Sequence, residues 1–395
     1  MNAFSMVILT SLFWLGVSGI FYTYVLYPLI LKAGAAFCSE RAPPALCSEQ
    51  DPPTVSIIFA AHNEAKVISE KLNSLIASNF PADRLEILIG DDSSTDGTGL
   101  IIAAFTERHP HIRLTTFPRR SGKPAIVNEL VATATGAVLI LTDANIIFEP
   151  DTVSRLATWF IDPKVGLVAA NILTRHLDGA GIALQEDAYI RREIAIKHQQ
   201  SVLSGVVIAP FGACYAIRRC DYRPVPPGHT VDDFYIAMHP LVIGRTGVQD
   251  MAAICSEDAS HSASSEFRRK ARISRGNFQN LFAFIDVALC PWSRLGFHFL
   301  SHKVVRWLTP AMLVCCIFTC AALAYRSGLY RVPLALMVLL ALSPALDWSL
   351  NRLGRRVRIV RFASYFLMMN LALGYGFLLW IGGRRESFWQ TIRSE

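Results

Sequence analysis

Two textures alternate along the chain. From Phe4 to Leu31 no charged residue interrupts a run of mostly apolar positions. A helix of that length rises about 40 Å, enough to cross a bilayer with some tilt. No Lys or Arg precedes the run, and it is longer than the apolar stretch of a signal peptide, so it reads as an anchor rather than a cleaved leader. Ser39 to Pro53, with four prolines and several charges, reads as a linker. Beyond it, to roughly Cys290, short β-branched runs alternate with helical patterns, as in a doubly wound α/β domain. Thr54–Ala60, Leu85–Gly90 and Ala137–Thr142 are the expected parallel strands. Between the first two, Ile68, Leu72, Leu75 and Ile76 recur at helical spacing and mark one buried stripe.

The apolar texture returns after Cys290. Trp307 to Tyr325, Val332 to Leu350 and Phe362 to Ile381 each have the length of a membrane span, and Asp347 is the one charge inside them. Leu281 to His302 mixes aromatic, Leu, Arg and His residues and suits the headgroup plane. The connector Arg326–Arg331 holds two arginines, whereas Asn351–Arg361 holds Arg352, Arg355, Arg356, Arg358 and Arg361. The positive-inside rule therefore puts the second connector, and with it the α/β domain, in the cytoplasm. Arg384, Arg385 and Arg393 would then lie outside if the last segment spans fully, which leaves a re-entrant C-terminus open as the alternative. The expected organisation is an anchor (1–35), a linker (36–53), an α/β domain (54–280), an interfacial segment (281–305), three spans (306–382) and a tail (383–395).

Composition agrees with the division. With 52% hydrophobic and 17% charged residues in 395, the chain is too apolar for an ordinary soluble protein, and disorder, collagen and coiled coil are excluded. The net charge of +7 resides largely in the last third, beside apolar spans, which points to anionic lipid headgroups or phosphates rather than nucleic acid. Nine cysteines show neither CxxC nor Cys/His ligand spacing; Cys315, Cys316 and Cys320 fall inside an apolar run and read as small buried residues.

Candidate chemistry lies where open α/β sheets bind ligands, beyond the carboxyl ends of the strands. Leu85–Gly90 runs into Asp91-Asp92-Ser93-Ser94-Thr95-Asp96-Gly97, and Ala137–Thr142 into Asp143-Ala144-Asn145. Such carboxylates accept hydrogen bonds from a base or ribose, or hold a hard cation that neutralises phosphates; a solvated, helix-capping turn is the plainer reading of the first cluster.

Several motifs occur in order: Val55-Ser56-Ile57-Ile58 then His62-Asn63-Glu64; Asp91 to Thr98; Ser121-Gly122-Lys123-Pro124 with Asn128; Thr142-Asp143-Ala144-Asn145; and Thr230-Val231-Asp232-Asp233-Phe234. Together they resemble family 2 glycosyltransferases of the GT-A fold, in particular membrane-bound polysaccharide synthases of the poly-N-acetylglucosamine, hyaluronan and cellulose type. The resemblance runs from about Val55 to Gln279. It implies an α/β GT-A nucleotide-diphospho-sugar transferase domain, with a Rossmann-like mixed sheet and flanking transmembrane helices, in a multi-pass protein of the cell membrane.

The resemblance also implies roles. Asp92, with Asp91 beside it, would hold the uracil or ribose of a UDP-linked sugar. Asp143 and Asn145 stand where the family has its metal-binding D-x-D, so Mg2+ or Mn2+ is the implied cofactor, with one ligand charge fewer. Lys123 would meet donor phosphate. Asp233, preceded by Asp232, would be the base of an inverting transfer, against the plainer reading of the pair as a helix cap and first turn. Phe211-Gly212-Ala213-Cys214-Tyr215 would shape the acceptor end. In Glu266–Ile273, Arg269, Arg272 and Ile273 stand for the Gln, Arg and Trp of the family's Q-x-x-R-W element. Arg269 and Arg272 would bind the diphosphate, and loss of the Trp puts a long-polymer channel in doubt.

The implied acceptor is a growing polysaccharide. A lipid taking a single sugar, as with ceramide or polyprenyl-phosphate glycosyltransferases, is the alternative, and an inactive nucleotide-binding scaffold a third. Membrane lipids are expected partners, and the pattern leaves room for an accessory membrane subunit.

Overall fold

The computed structural model describes residues 3–44, 52–175, 183–258, 263–355 and 357–383. Arg356, residues 45–51 of the stretch expected as a linker, and the tail from 384 lie outside the described residues. The chain forms two compact units: one comprises residues 31–259, the other residues 1–30 and 260–384. The helix Ala263–Ala283, expected in the α/β domain, thus groups with the apolar helices.

The first unit is built on eight strands: β1 Val55–Ala61, β2 Leu85–Asp91, β3 Ile112–Thr116, β4 Val138–Thr142, β5 Ile147–Phe148, β6 Val165–Arg175, β7 Cys214–Arg218 and β8 Thr246–Asp258. Their order is β3-β2-β1-β4-β7-β6-β8-β5. β1, β2, β3 and β4 are parallel, with Val55 opposite both Leu85 and Val138. β7 runs antiparallel to β4 and β6, placing Cys214 opposite Thr142. Every residue of β1, β2 and β4 is buried, which is why these strands read as unbroken apolar runs. Helix Ile68–Ile76 buries Ile68, Leu72 and Leu75 as its periodicity predicts, and Lys71 with them.

The chain winds outward from β1 first through β2 and β3, then on the other side through β4. This reversal opens a crevice at the carboxyl ends of β1 and β4, the position at which open sheets take ligands. Helix Lys123–Thr133 crosses the sheet beside it. An added Cβ on Gly90 of β2 would collide with the Ile126 side chain, so glycine here sets the helix-to-sheet distance.

In the second unit, three helices among the described residues are long and apolar enough to cross a membrane: Phe4–Ala35, Gly328–Arg352 and Arg358–Ile381. The span expected at Trp307 to Tyr325 is instead a helix of 16 residues, Thr309–Ala324, bent by 55° from Arg294–Trp307. Pro310, in the first turn, cannot donate to the preceding turn, so the helix restarts there. The two count as a fourth span only if taken as one.

Packing within this unit is specific. Phe13 meets Tyr330 edge-on at 5.3 Å, and Gly16 closes on Cys316. Two π-helical turns, Tyr22–Leu26 and Leu300–Val304, are tied by Tyr22 Oη to Ser301 Oγ (2.7 Å) and by Thr23 Oγ1 donating to the Ser301 carbonyl (3.0 Å). Gly376 lets Arg358–Ile381 approach Ala263–Ala283, where Ser274 Oγ donates to the Leu373 carbonyl at 2.7 Å. The described cysteines are free, with Cys316 and Cys320 buried.

Gly90→Ala overpacks the helix-sheet contact and is expected to cost about 1–3 kcal/mol. A lowered thermal midpoint of the detergent-solubilised full chain, followed by intrinsic fluorescence, is the check.

Candidate active site

The loops that leave β1 and β2 are stitched together at the crevice. Asn63 and Ser93, which turn the chain out of these strands, adopt left-handed φ values of 53° and 57°, a strained conformation for residues with a side chain. Asn63 Oδ1 accepts from the Thr95 amide (2.8 Å), the Asn63 amide donates to Ser94 Oγ (3.0 Å), and the Glu64 amide donates to Thr98 Oγ1 (2.8 Å). Asp96 accepts from the Thr98 and Ala65 amides; burial works against its charge, but these bonds and the Thr98 hydroxyl outweigh it and lower its pKa. The ordered Asp/Ser/Thr cluster is thus partly the solvated, helix-starting turn that such residues favour.

Asp91 and Asp92 behave differently from that turn. The Asp91 carboxylate accepts from the Ser94 amide at 3.2 Å and lies against Gly99. Asp92 is fully buried, and its oxygens accept from the Ser121 amide (2.6 Å), the Gly122 amide (3.1 Å) and Arg120 Nε (3.1 Å). Its carboxylate therefore holds the loop that precedes Lys123. Gly122, at φ 83°, supplies a backbone that a side chain would strain, and helix Lys123–Thr133 begins immediately after it.

Lys123 is the centre of the site. Its Nζ lies 2.6 Å from Asp143 Oδ1 and 3.8 Å from Asp232 Oδ2. Burial opposes its charge, but the carboxylates of Asp143, Asp232 and Asp233 prevail and raise its pKa above the ordinary lysine value. Asp143 leaves β4 in a short turn, closed by the Ile146 amide donating to the Asp143 carbonyl, that also carries the half-buried Asn145. The Asp143 side chain keeps 36% of its surface exposed. One carboxylate and one amide oxygen are hard donors that fit Mg2+ or Mn2+, provided the remaining ligands come from elsewhere. Among the described residues no group of three or more His, Cys, Asp or Glu side chains is arranged around a metal position.

Asp232 and Asp233 open the helix Asp232–Val242; the residue before them, Val231, is the cap position and makes no side-chain capping bond. Asp232 is thus the first helical residue rather than the cap. Asp233 Oδ1 accepts from the Phe234 amide at 2.7 Å, and Gly212 lies so close that a Cβ there would collide with Oδ2. Burial and the Asp232 charge push the Asp233 carboxyl up to about 6, against the opposing pull of Lys123. A carboxylate with this proton affinity is suited to accept a proton near neutrality.

Residues named from sequence fall in different places. Lys123, Asp143, Asp232 and Asp233 converge; Asp91 and Asp92 organise the loops beside them; Asn145 shares the Asp143 turn. Arg269 and Arg272 belong to the second unit, on helix Ala263–Ala283. There Arg269 grips Glu266 bidentately at 2.7 and 2.9 Å, and Lys270 joins at 3.1 Å. Burial opposes the charge of Glu266, but Lys270 and Arg269 outweigh it and hold its carboxyl down to about 2. Asn128 proves structural: it accepts from Tyr222 Oη (2.6 Å) and the Val225 amide (2.9 Å) and donates to the Val225 carbonyl (3.0 Å).

Residues 56–223 match the sequence model of Glycosyl transferase family 2. They are a family 2 glycosyltransferase domain. Among curated relatives, the probable glycosyltransferase YdaM of Bacillus subtilis is 31% identical over 149 residues, 33% of this chain and 34% of that protein. A beta-monoglucosyldiacylglycerol synthase of Synechocystis is 30% identical over 171 residues, 39% of this chain and 34% of that protein. A poly-beta-1,6-N-acetyl-D-glucosamine synthase of Staphylococcus epidermidis is 26% identical over 153 residues, 38% and 36% of the two chains. The chain therefore spans about a third of the length of these relatives. Among solved structures, the mannosyltransferase PcManGT from Pyrobaculum calidifontis, in complex with GDP-Man and Mn2+, superposes with a TM-score of 0.71 at 20% identity. That match covers 94% of this chain and 99% of that one. This likeness gives the fold, a GT-A-type mixed sheet.

Removing the Asp92 carboxylate leaves two loop amides and Arg120 without their acceptor, at about 1–3 kcal/mol for such buried groups. Asp92→Ala is expected to speed amide hydrogen exchange at Ser121 to Lys123 while the amides of β1 keep their protection.

Proposed function

We propose that the protein is a membrane-bound inverting glycosyltransferase that takes a sugar from a nucleotide-sugar, UDP-linked in the primary reading. The observation that carries this is the convergence of Lys123, Asp143, Asp232 and Asp233 at the crevice between β1 and β4. Asp143 and Asn145 would hold Mg2+ or Mn2+, with further oxygens from the donor diphosphate; a Mn2+ ion is present with GDP-Man in the structural relative. When bound, such an ion neutralises charge on the diphosphate.

In the reaction, an acceptor hydroxyl oxygen attacks the anomeric carbon while Asp233 takes its proton. The bond from that carbon to the diphosphate oxygen breaks on the opposite face, and the nucleoside diphosphate leaves with the electron pair. Lys123 provides positive charge on the donor side, and Asp232 keeps Asp233 basic by like-charge repulsion. Asp92 serves the donor end by fixing the loop that bears Lys123, and Asp91 by closing the turn after β2.

The spans would sit in the cell membrane with the α/β unit in the cytoplasm, where nucleotide-sugars are made. The Arg-rich connector after the helix Arg331–Arg352 supports that orientation. For the acceptor, the polysaccharide reading is supported by the poly-N-acetylglucosamine synthase relative. A lipid acceptor is the second reading. It is favoured by the higher identity to a glycolipid synthase and by Ile273 in place of the family's Trp. Incubation with labelled donor and membranes separates them: polymer is expected for the first, and a single organic-soluble glycolipid for the second.

Asp233→Asn is expected to abolish transfer while nucleotide binding survives. Protonation of Asp233 removes the base, so kcat/KM of the wild type should fall as pH drops through about 6. Asp232→Asn removes a charge that raises the Asp233 pKa, so this acid limb should move to lower pH. Full turnover in Asp233→Asn would reject the assignment.

A further inference from the structure

One buried cation in the α/β unit has no part in the chemistry described so far. Lys71, on the helix Ile68–Ile76, has no exposed surface. Its Nζ donates to Thr142 Oγ1 at 3.2 Å and lies 3.9 Å above the Phe148 ring and 5.6 Å from that of Phe59. No carboxylate among the described residues lies within ion-pair distance; the buried thiols of Cys214 and Cys255 are near, and Asp143 acts on it electrostatically. Burying an ammonium this way is expensive, and the surrounding core would accept a methionine of similar length at lower cost.

What Lys71 holds explains why a charge is placed there. Thr142 Oγ1 accepts from Lys71 and itself donates to the Ala213 carbonyl at 2.6 Å. The next residue, Asp143, takes Lys123, and its amide donates to the same Ala213 carbonyl at 3.3 Å. On the other side of Ala213, Gly212 abuts the Asp233 carboxylate. One ammonium thus orients the hydroxyl that locks the Asp143 turn to the segment seating Asp233.

We infer that Lys71 is a positioning residue, which sets through Thr142 the spacing between the Asp143–Asn145 turn that would take the cation and diphosphate and the Gly212–Ala213 segment behind Asp233. The inference rests on the proposed donor site and deepens it. Lys71 touches no substrate; it acts as groups behind metal ligands do, by orienting what the ligands are attached to.

The test is binding rather than turnover. Full-length protein in lipid nanodiscs is titrated with Mn2+ in the presence of UDP, and in parallel GDP, while free Mn2+ is followed by electron paramagnetic resonance. Lys71→Met should weaken nucleotide-dependent Mn2+ binding by about tenfold or more, with an unchanged or raised thermal midpoint. Thr142→Val should do the same, and the double variant should be no weaker than either single one, because both break one connection. Thr142→Val also serves if Lys71→Met fails to fold. Asp143→Ala reports on the underlying reading. If wild-type binding depends on Asp143 but survives Lys71→Met or Thr142→Val unchanged, the inference about Lys71 is overturned alone. If Asp143→Ala binds like wild type, the donor-site reading falls and this inference with it.

Discussion

Lys123 is the constraint around which the α/β unit is arranged. Its ammonium draws the end of β4, through Asp143, toward the first turn of the helix Asp232–Val242, through Asp232. Three carboxylates brought so close would repel one another; the positive charge among them offsets that repulsion, while burial and the Asp232 charge still leave Asp233 with a raised proton affinity. The loop carrying Lys123 is in turn held by the buried Asp92, so the acidic residues after β2 act at one remove on those after β4. The crevice is a chain of charge compensation running from the end of β2 past the end of β4 to the helix Asp232–Val242.

Parts of this arrangement were legible in the sequence for definite reasons. The three parallel strands expected from sequence, β1, β2 and β4, are buried on both faces, and their apolar runs lie within a residue of the observed boundaries. The stripe of Ile68, Leu72 and Leu75 gave its helix. The remaining strands were not foreseen: β6 and β8, which run parallel to each other, are long, irregular in register, and only partly buried toward their ends, so neither continuous nor alternating apolarity marks them. The span at Trp307 to Tyr325 was read from length and hydropathy, which carry no information about a bend at Pro310.

The candidate site divides along the same lines. Motif order located Lys123, Asp143, Asp232 and Asp233, because residues at strand ends and helix starts inherit their position from the fold. What each side chain touches was not legible: nothing in Asp91-Asp92-Ser93 says that the second carboxylate turns inward to the Ser121 and Gly122 amides. Lys71 did leave a signal. It falls three residues after Ile68 on the apolar stripe, where a charge is out of keeping with the pattern, and such an exception within a buried face marks a polar group with a task.

The packing of the first helix has a practical consequence. Phe13 against Tyr330, Gly16 against Cys316, and the paired π turns joined at Ser301 make that helix a recognised partner within its bundle rather than a generic greasy tether. Exchanging it for a foreign helix of equal hydropathy would preserve its apolarity and discard the complementarity. Fusion tags therefore have to be added to the native segment, never put in its place.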